Sequence, residues 1–138
     1  MIKKLIILSL LAFTLPVFNL AQTTSCLDIL PNPDVTQPAF AEFDRYINVL
    51  EVLKFYAEPG VSDAQLIHSA SIGAELLDND ENGIIDDIIL GEQLMLVNAV
   101  MPLFLEEGSS AEDAMMDNWD ESFCFSAVLY SDEIAPWA

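Results

Sequence analysis

Residues Asp78 to Asp87 read "DNDENGIIDD", five carboxylates and two asparagines around a single glycine. Like charges at that density repel and oppose compaction unless a cation neutralises them. Asp, Asn and Gly also favour turns through local hydrogen bonds and left-handed backbone angles. The segment therefore belongs to neither a strand nor a helix interior. It reads as a loop between the elements before and after it.

The segment before it carries a clear start signal. Ser62 followed by Gln65 has capping-box spacing, and Ile67, Ala70, Ala74 and Leu77 recur at helical intervals, which predicts a helix over residues 63 to 77. After it, Leu90, Leu94, Val97 and Met101 again recur at helical spacing, with Gly91 costing about 1 kcal/mol relative to Ala and Pro102 near the end. Two helices should thus bracket the acidic loop. Within the loop, alternate residues of a tight curl point inward, Gly83 supplies a turn that a Cβ would obstruct, and Ile85 can bury itself between the helices.

Compared with a twelve-position calcium loop, Asp78, Asp80 and Asn82 fall on positions one, three and five, Gly83 on six, Ile84 on seven and Asp86 on nine. That provides four side-chain ligands and one backbone oxygen, a hard-oxygen set suited to calcium. Position twelve, where a bidentate Glu belongs, is Ile89. Asp87 turned inward, Glu92 reaching back from the next helix, or water could complete the shell, and Glu92 is the preferred choice. "LLDNDENGIIDD" resembles the EF-hand loop, and the shorter Asp-rich loops of dockerins and thrombospondin type 3 repeats, over about a dozen residues. Dockerin-like modules carry two such loops and this chain has one, so the resemblance does not imply cohesin binding. More loosely, Val61 to Ile134 is similar to secreted bacterial proteins in which such a loop precedes a metallohydrolase-like region. The competing reading of the loop is a solvated acidic turn.

The chain opens with Lys3 and Lys4, an apolar run "LIILSLLAFTLPVF" and polar "NLAQTTSC", the pattern of a secretory signal cleaved after Ala21. The run is shorter than a spanning helix wants and Pro16 interrupts it. Lipidation at Cys26 is a second route, although Thr23 stands where a lipobox has Leu. Secreted, periplasmic or cell-surface placement follows, a setting where disulfides persist. Pairing of Cys26 with Cys124 would close nearly the whole domain. Losing Lys3 and Lys4 with the leader moves the formal charge from −19 to −21, leaving Arg45 and Lys54 as the basic side chains. Such a field repels nucleic acid and anionic lipid.

What remains is one domain's worth of chain. Residues 22 to 38, with Pro31, Pro33 and Pro38, read as an extended arm. Residues 39 to 138 read as an α+β domain. "FDRYINVLEVLKFYAEPG" fits neither period cleanly; aromatic and branched content favours a strand ending near Glu58, with a helix still open. Leu103 to Leu105 suggests a strand, Ser109 with Glu112 a third helix cap, and the alternation from Phe123 to Tyr130 a mostly buried strand. His68 is single, so it reads as a packing or surface residue; a zinc site needs three or four ligands. No local motif suggests a catalytic triad, a zinc protease or a phosphate loop. The acidic helix "DAMMDNWDES" reads as a core face backed by a solvated one, with an exposed Met and Trp surface as the alternative. The expected function is structural calcium binding, with the front part of a longer secreted hydrolase and a metal-independent acidic interaction module as rivals.

Overall fold

The computed structural model describes residues 27–125 and 127–134. The leader, its cleavage site and Cys26 lie outside the described residues. The observed architecture is α+β: three helices on a five-stranded mixed sheet. Strands run β1 (Leu30–Pro31), β2 (Arg45–Val49), β3 (Leu53–Ala57), β4 (Val100–Phe104) and β5 (Leu129–Tyr130), adjacent in that order. The β1–β2 and β2–β3 pairings are antiparallel; β3–β4 and β4–β5 are parallel. Helices α1 (Asp63–Leu77) and α2 (Ile88–Leu96) fill the crossover from β3 to β4, and α3 (Ser110–Asp117) fills the next.

Both faces of the sheet are covered. On one, Ile47, Val49, Phe55, Ala57 and Leu103 meet Leu66, Ala70 and Leu77 of α1. On the other, Tyr56, Val100 and Phe104 meet Ala111 and Met115 of α3, together with Phe40 and Phe43 around the 3-10 turn Pro38–Phe40. Successive side chains of a strand point to opposite faces, so Phe55 and Tyr56 serve different cores. In β3, where Phe55, Tyr56 and Ala57 are all buried, this double burial explains the missing period: a strand buried on both faces has no polar side to alternate with. The strand reading was the correct one, but the segment forms two strands rather than one.

The hairpin joining them turns at Leu50 (φ 47°) and Glu51 (φ 63°), with the Val52 amide donating to Val49 O at 3.0 Å. Two consecutive positive φ values make a type I′ turn, which ordinarily advertises itself through Asn-Gly or Asp-Gly. Leu50-Glu51 gives no such signal, so the turn was invisible in sequence. A left-handed non-glycine residue costs about 1–2 kcal/mol. After allowing for glycine's larger unfolded-state entropy, Glu51→Gly should stabilise the chain by about 0.5–1 kcal/mol, read as a higher urea midpoint with unchanged m-value.

Helix α1 has the predicted bounds and the predicted reciprocal cap: Gln65 N donates to Ser62 Oγ and Ser62 N to Gln65 Oε1. Its buried face is rotated from the predicted one. Ile67 is exposed, and the contact line runs through Leu66, Ala70, Gly73 and Leu77. Gly73 sets this line, because a Cβ there would lie 2.7 Å from the end of the Phe55 ring; only glycine allows the helix this close to β3.

Helix α2 stops earlier than expected. Val97 closes it, Asn98 adopts φ 48°, and Met101 and Pro102 lie in β4 rather than in the helix. Along β4, Lys54 N donates to Ala99 O and Glu58 N to Leu103 O on one side, while Val100 N donates to Cys124 O on the other. Pro102 shares the orientation of Val100 and falls between the Cys124 bridge and the Leu103–Leu129 pair. Its missing N–H therefore interrupts no ladder bond, and the usual objection to proline inside a sheet does not apply. The strand predicted at 103–105 is real but begins earlier. The long strand predicted from Phe123 is reduced to Leu129–Tyr130 plus the isolated bridge at Cys124.

The third helix caps as predicted, with Glu112 N donating to Ser109 Oγ at 3.3 Å. Its buried face is Ala111 and Met115, while Met116 and Trp119 are exposed. Glu58, at the end of β3, ties this helix to the sheet: its buried carboxylate accepts from Ser109 Oγ at 2.7 Å and from Leu105 N at 2.9 Å. The described part of the N-terminal arm is docked rather than loose. Buried Asn32 donates through Nδ2 to Phe40 O and Phe43 O at 2.8 and 2.9 Å, which anchors β1 as the edge strand.

Candidate metal centre

Helix α1 delivers the acidic loop. Asp78 is its C-cap, its amide donating to Ala74 O at 2.8 Å, and the residue is 7% exposed. From there the loop curls back on Asp78. Asn82 N donates to Oδ1 at 3.0 Å and Gly83 N to Oδ2 at 2.6 Å. Asp80 Oδ1 accepts from Asn82 N at 3.3 Å, and Asp86 Oδ2 accepts from Asn79 N at 2.9 Å. Asp86 N closes the loop on Leu77 O at 2.9 Å. The curl requires left-handed backbone at Glu81 (φ 57°) and Gly83 (φ 82°).

Backbone amides thus hold three carboxylates facing one another. Asp78, Asp80 and Asp86 each bring a ligand oxygen within 4.8 Å of the other two. Among the described residues no other group of three or more His, Cys, Asp or Glu converges in this way. Coulomb repulsion resists such an arrangement, and neither the Lys nor the Arg side chain among the described residues relieves it. Arg45 is engaged by Asp44 and Asp63, and Lys54 by Asn98 and Asp34. Among the described residues the hydrogen bonds of the Asp80 and Asp86 carboxylates fall on Asp80 Oδ1 and Asp86 Oδ2, and both side chains are exposed. The donor set is oxygen only, and the three carboxylates could hold a metal ion.

The other residues expected at the site are distributed around it. Asn82 is exposed, with Oδ1 accepting from Ile84 N at 2.8 Å. Ile84 is exposed and faces a groove beside the loop. Glu92 sits on α2, lines the same groove and is not one of the converging three. Asp87 does not turn inward. It caps α2, its Oδ1 accepting from Ile89 N at 3.0 Å and Leu90 N at 3.1 Å, and so satisfies amides that the first turn of a helix leaves open. Ile85 packs against the α1-side core and onto Gly91, where an added Cβ would lie 2.8 Å from Ile85 Cδ1. The glycine that looked like a helix defect in sequence is therefore the seat for the loop's apolar residue.

His68 is half-buried and borders a second, apolar cavity of about 580 Å³, with no ligand partner in the converging set. Cys124 is exposed. The groove beside the loop, about 790 Å³, has Asp28, Asn48, Leu50, Glu51 and Val52 as its far wall. Sequence reading missed this wall, since only the fold of the β2–β3 hairpin brings it to the loop. No helix of the described chain is long and apolar enough to cross a membrane. Compared with protein-family models, characterised proteins and solved structures, the chain matches none.

Proposed function

We propose that this is a secreted calcium-binding domain whose EF-hand-like loop has a structural purpose. The observation that supports it is the convergence of the Asp78, Asp80 and Asp86 oxygens around the Gly83 turn. In this reading Asn82, the Ile84 carbonyl and Glu92 complete the shell with water, and Asp78 links the cation to the end of α1. Calcium takes about six to eight oxygens with loose angular demands, whereas magnesium wants a near-ideal octahedron. A partly hydrated loop with a variable last ligand fits the former. An incomplete ligand set gives modest affinity, adequate at extracellular calcium levels.

Binding to the folded chain alone stabilises it by about 2.7 kcal/mol once calcium reaches about a hundred times its dissociation constant. The melting temperature of the chain should therefore rise with millimolar calcium over chelator, and rise less with equimolar magnesium. The Asp80→Asn/Asp86→Asn pair should abolish the rise while keeping the fold, because both residues are exposed and Asn retains an acceptor for Asn82 N and Asn79 N. No calcium heat in calorimetry, with no thermal shift, would favour the solvated acidic turn. The Cys26–Cys124 bridge belongs to the same reading; the non-reduced mass of the secreted chain should be lower by two hydrogens than that of the reduced chain.

A further inference from the structure

Helix α2 is apolar yet poorly covered. Ile88 is 68% exposed and Met95 60%, and with exposed Ile84 and Leu30 they line the groove beside the acidic loop, whose far wall carries half-buried Leu50 and buried Val52. Contiguous exposed apolar surface of this kind marks an interaction site more often than chance. The groove's charge is one-sided: Asp28, Glu51 and Glu92 stand on its walls, and among the described residues no basic one lines it. One further group lacks a partner. Asn48, on the far wall, has its Oδ1 buried with no hydrogen bond among the described residues, an arrangement that costs about 1–3 kcal/mol.

We propose that this groove docks an amphipathic segment of a partner protein, apolar on the face it buries and carrying Lys or Arg at its edges. The charge pattern favours this occupant over the others. A second copy of the chain would bring a net charge of −19 and more carboxylates to the groove, and both basic residues in the described chain already have partners. Anionic lipid is repelled for the same reason. A cationic segment would neutralise the three carboxylates and cover Ile88 and Met95.

The test uses the purified chain in chelator-treated buffer, so that it does not depend on metal at the loop. The probe is a short fluorescein-labelled amphipathic peptide of leucine and lysine only, with a leucine–glutamate counterpart of equal length as control, followed by anisotropy. The lysine peptide should bind and the glutamate peptide should not. Asp28→Asn/Glu51→Gln/Glu92→Gln should weaken binding at least about tenfold. Neutralising three distant carboxylates (Glu75→Gln, Asp113→Asn, Asp117→Asn) should change it less than about threefold, since separated surface charges are screened. Ile88→Glu/Met95→Glu, at exposed positions that leave the core intact, should abolish it. Equal losses in the near and distant triple variants would mean diffuse charge attraction and would overturn the proposal. So would a dimer in sedimentation that Ile88→Glu/Met95→Glu dissociates, since the groove would then be covered by a second copy.

Discussion

Tyr56→Ala should cost about 3–5 kcal/mol of folding stability, the range for removing a large aromatic side chain from a packed core. Tyr56 is fully buried on β3. Its ring lies 4.7 Å from that of Phe40, 5.9 Å from Phe43 and 5.6 Å from Tyr46, and so joins the sheet to the 3-10 turn and to the α3 side of the core. Its hydroxyl donates to Asp34 Oδ2, whose other oxygen accepts from Gln37 Nε2 at 2.8 Å. Urea unfolding of Tyr56→Ala and Tyr56→Phe separates the two contributions. The phenylalanine variant keeps the ring and should lose about 1.5–3 kcal/mol, the usual worth of a hydrogen bond to a charged acceptor.

The hydroxyl also predicts a pH dependence. Burial pushes the Tyr56 pKa well above its ordinary value, and the hydrogen bond to the Asp34 carboxylate with its negative charge adds to the rise. A raised folded pKa means that stability is complete below the unfolded value, near 10, and is lost as pH climbs toward the folded one. In that window the unfolded chain releases a proton that the native chain keeps, a slope of about 1.4 kcal/mol per pH unit. Tyr56→Phe should flatten the alkaline limb of the stability curve by that one-proton slope. Tyr130, pushed up to about 12 by its hydrogen bond to Glu112, remains in both proteins and cancels in the comparison.

The second large effect is expected at Asp78. Asp78→Ala removes the acceptor for the Asn82 and Gly83 amides and the one buried carboxylate of the converging three. Hydrogen bonds to a charged group contribute about 1.5–3 kcal/mol each. The loop is partly open to water, which can satisfy the freed amides, so a net loss of about 2–3 kcal/mol without calcium is expected. With calcium the loss should widen, because the variant gains nothing from the cation. Asp78→Asn keeps one amide acceptor and should lie between the two in chelator, but near Asp78→Ala in its calcium response. An Asp78→Ala protein whose melting temperature still rises with calcium as the parent's does would separate the loop's folding role from metal binding and remove Asp78 from the ligand set.

The parts of the molecule that were legible in sequence share one property, that their hydrogen bonds close within a few residues. Ser62 and Gln65 set the start of α1, Ser109 and Glu112 set that of α3, and the Asp78–Asp86 curl is made by amides and carboxylates of its own span. Local chemistry of that kind is written in the order of residues and needs no partner from elsewhere. The convergence of three carboxylates could therefore be expected before any coordinates, with Asp87 the exception, because helix capping claims its side chain.

Tertiary structure decided everything whose energy comes from distant residues. Whether residues 97 to 104 prolong a helix or enter the sheet depends on β3, which offers carbonyls and amides for β4 and a neighbour for Leu103. Burial on both faces then removes the alternation from which a strand is recognised. Leu50 and Glu51 accept left-handed backbone because the strands on either side hold them there, and Gly73 and Gly91 look like weak helix residues until Phe55 and Ile85 are seen to occupy the space they leave. The sequence alone determined an acidic, cation-suited loop at the end of a capped helix. Only the packed fold set that loop beside an apolar groove, since the groove's two walls are more than thirty residues apart along the chain and meet through buried area rather than through any local signal.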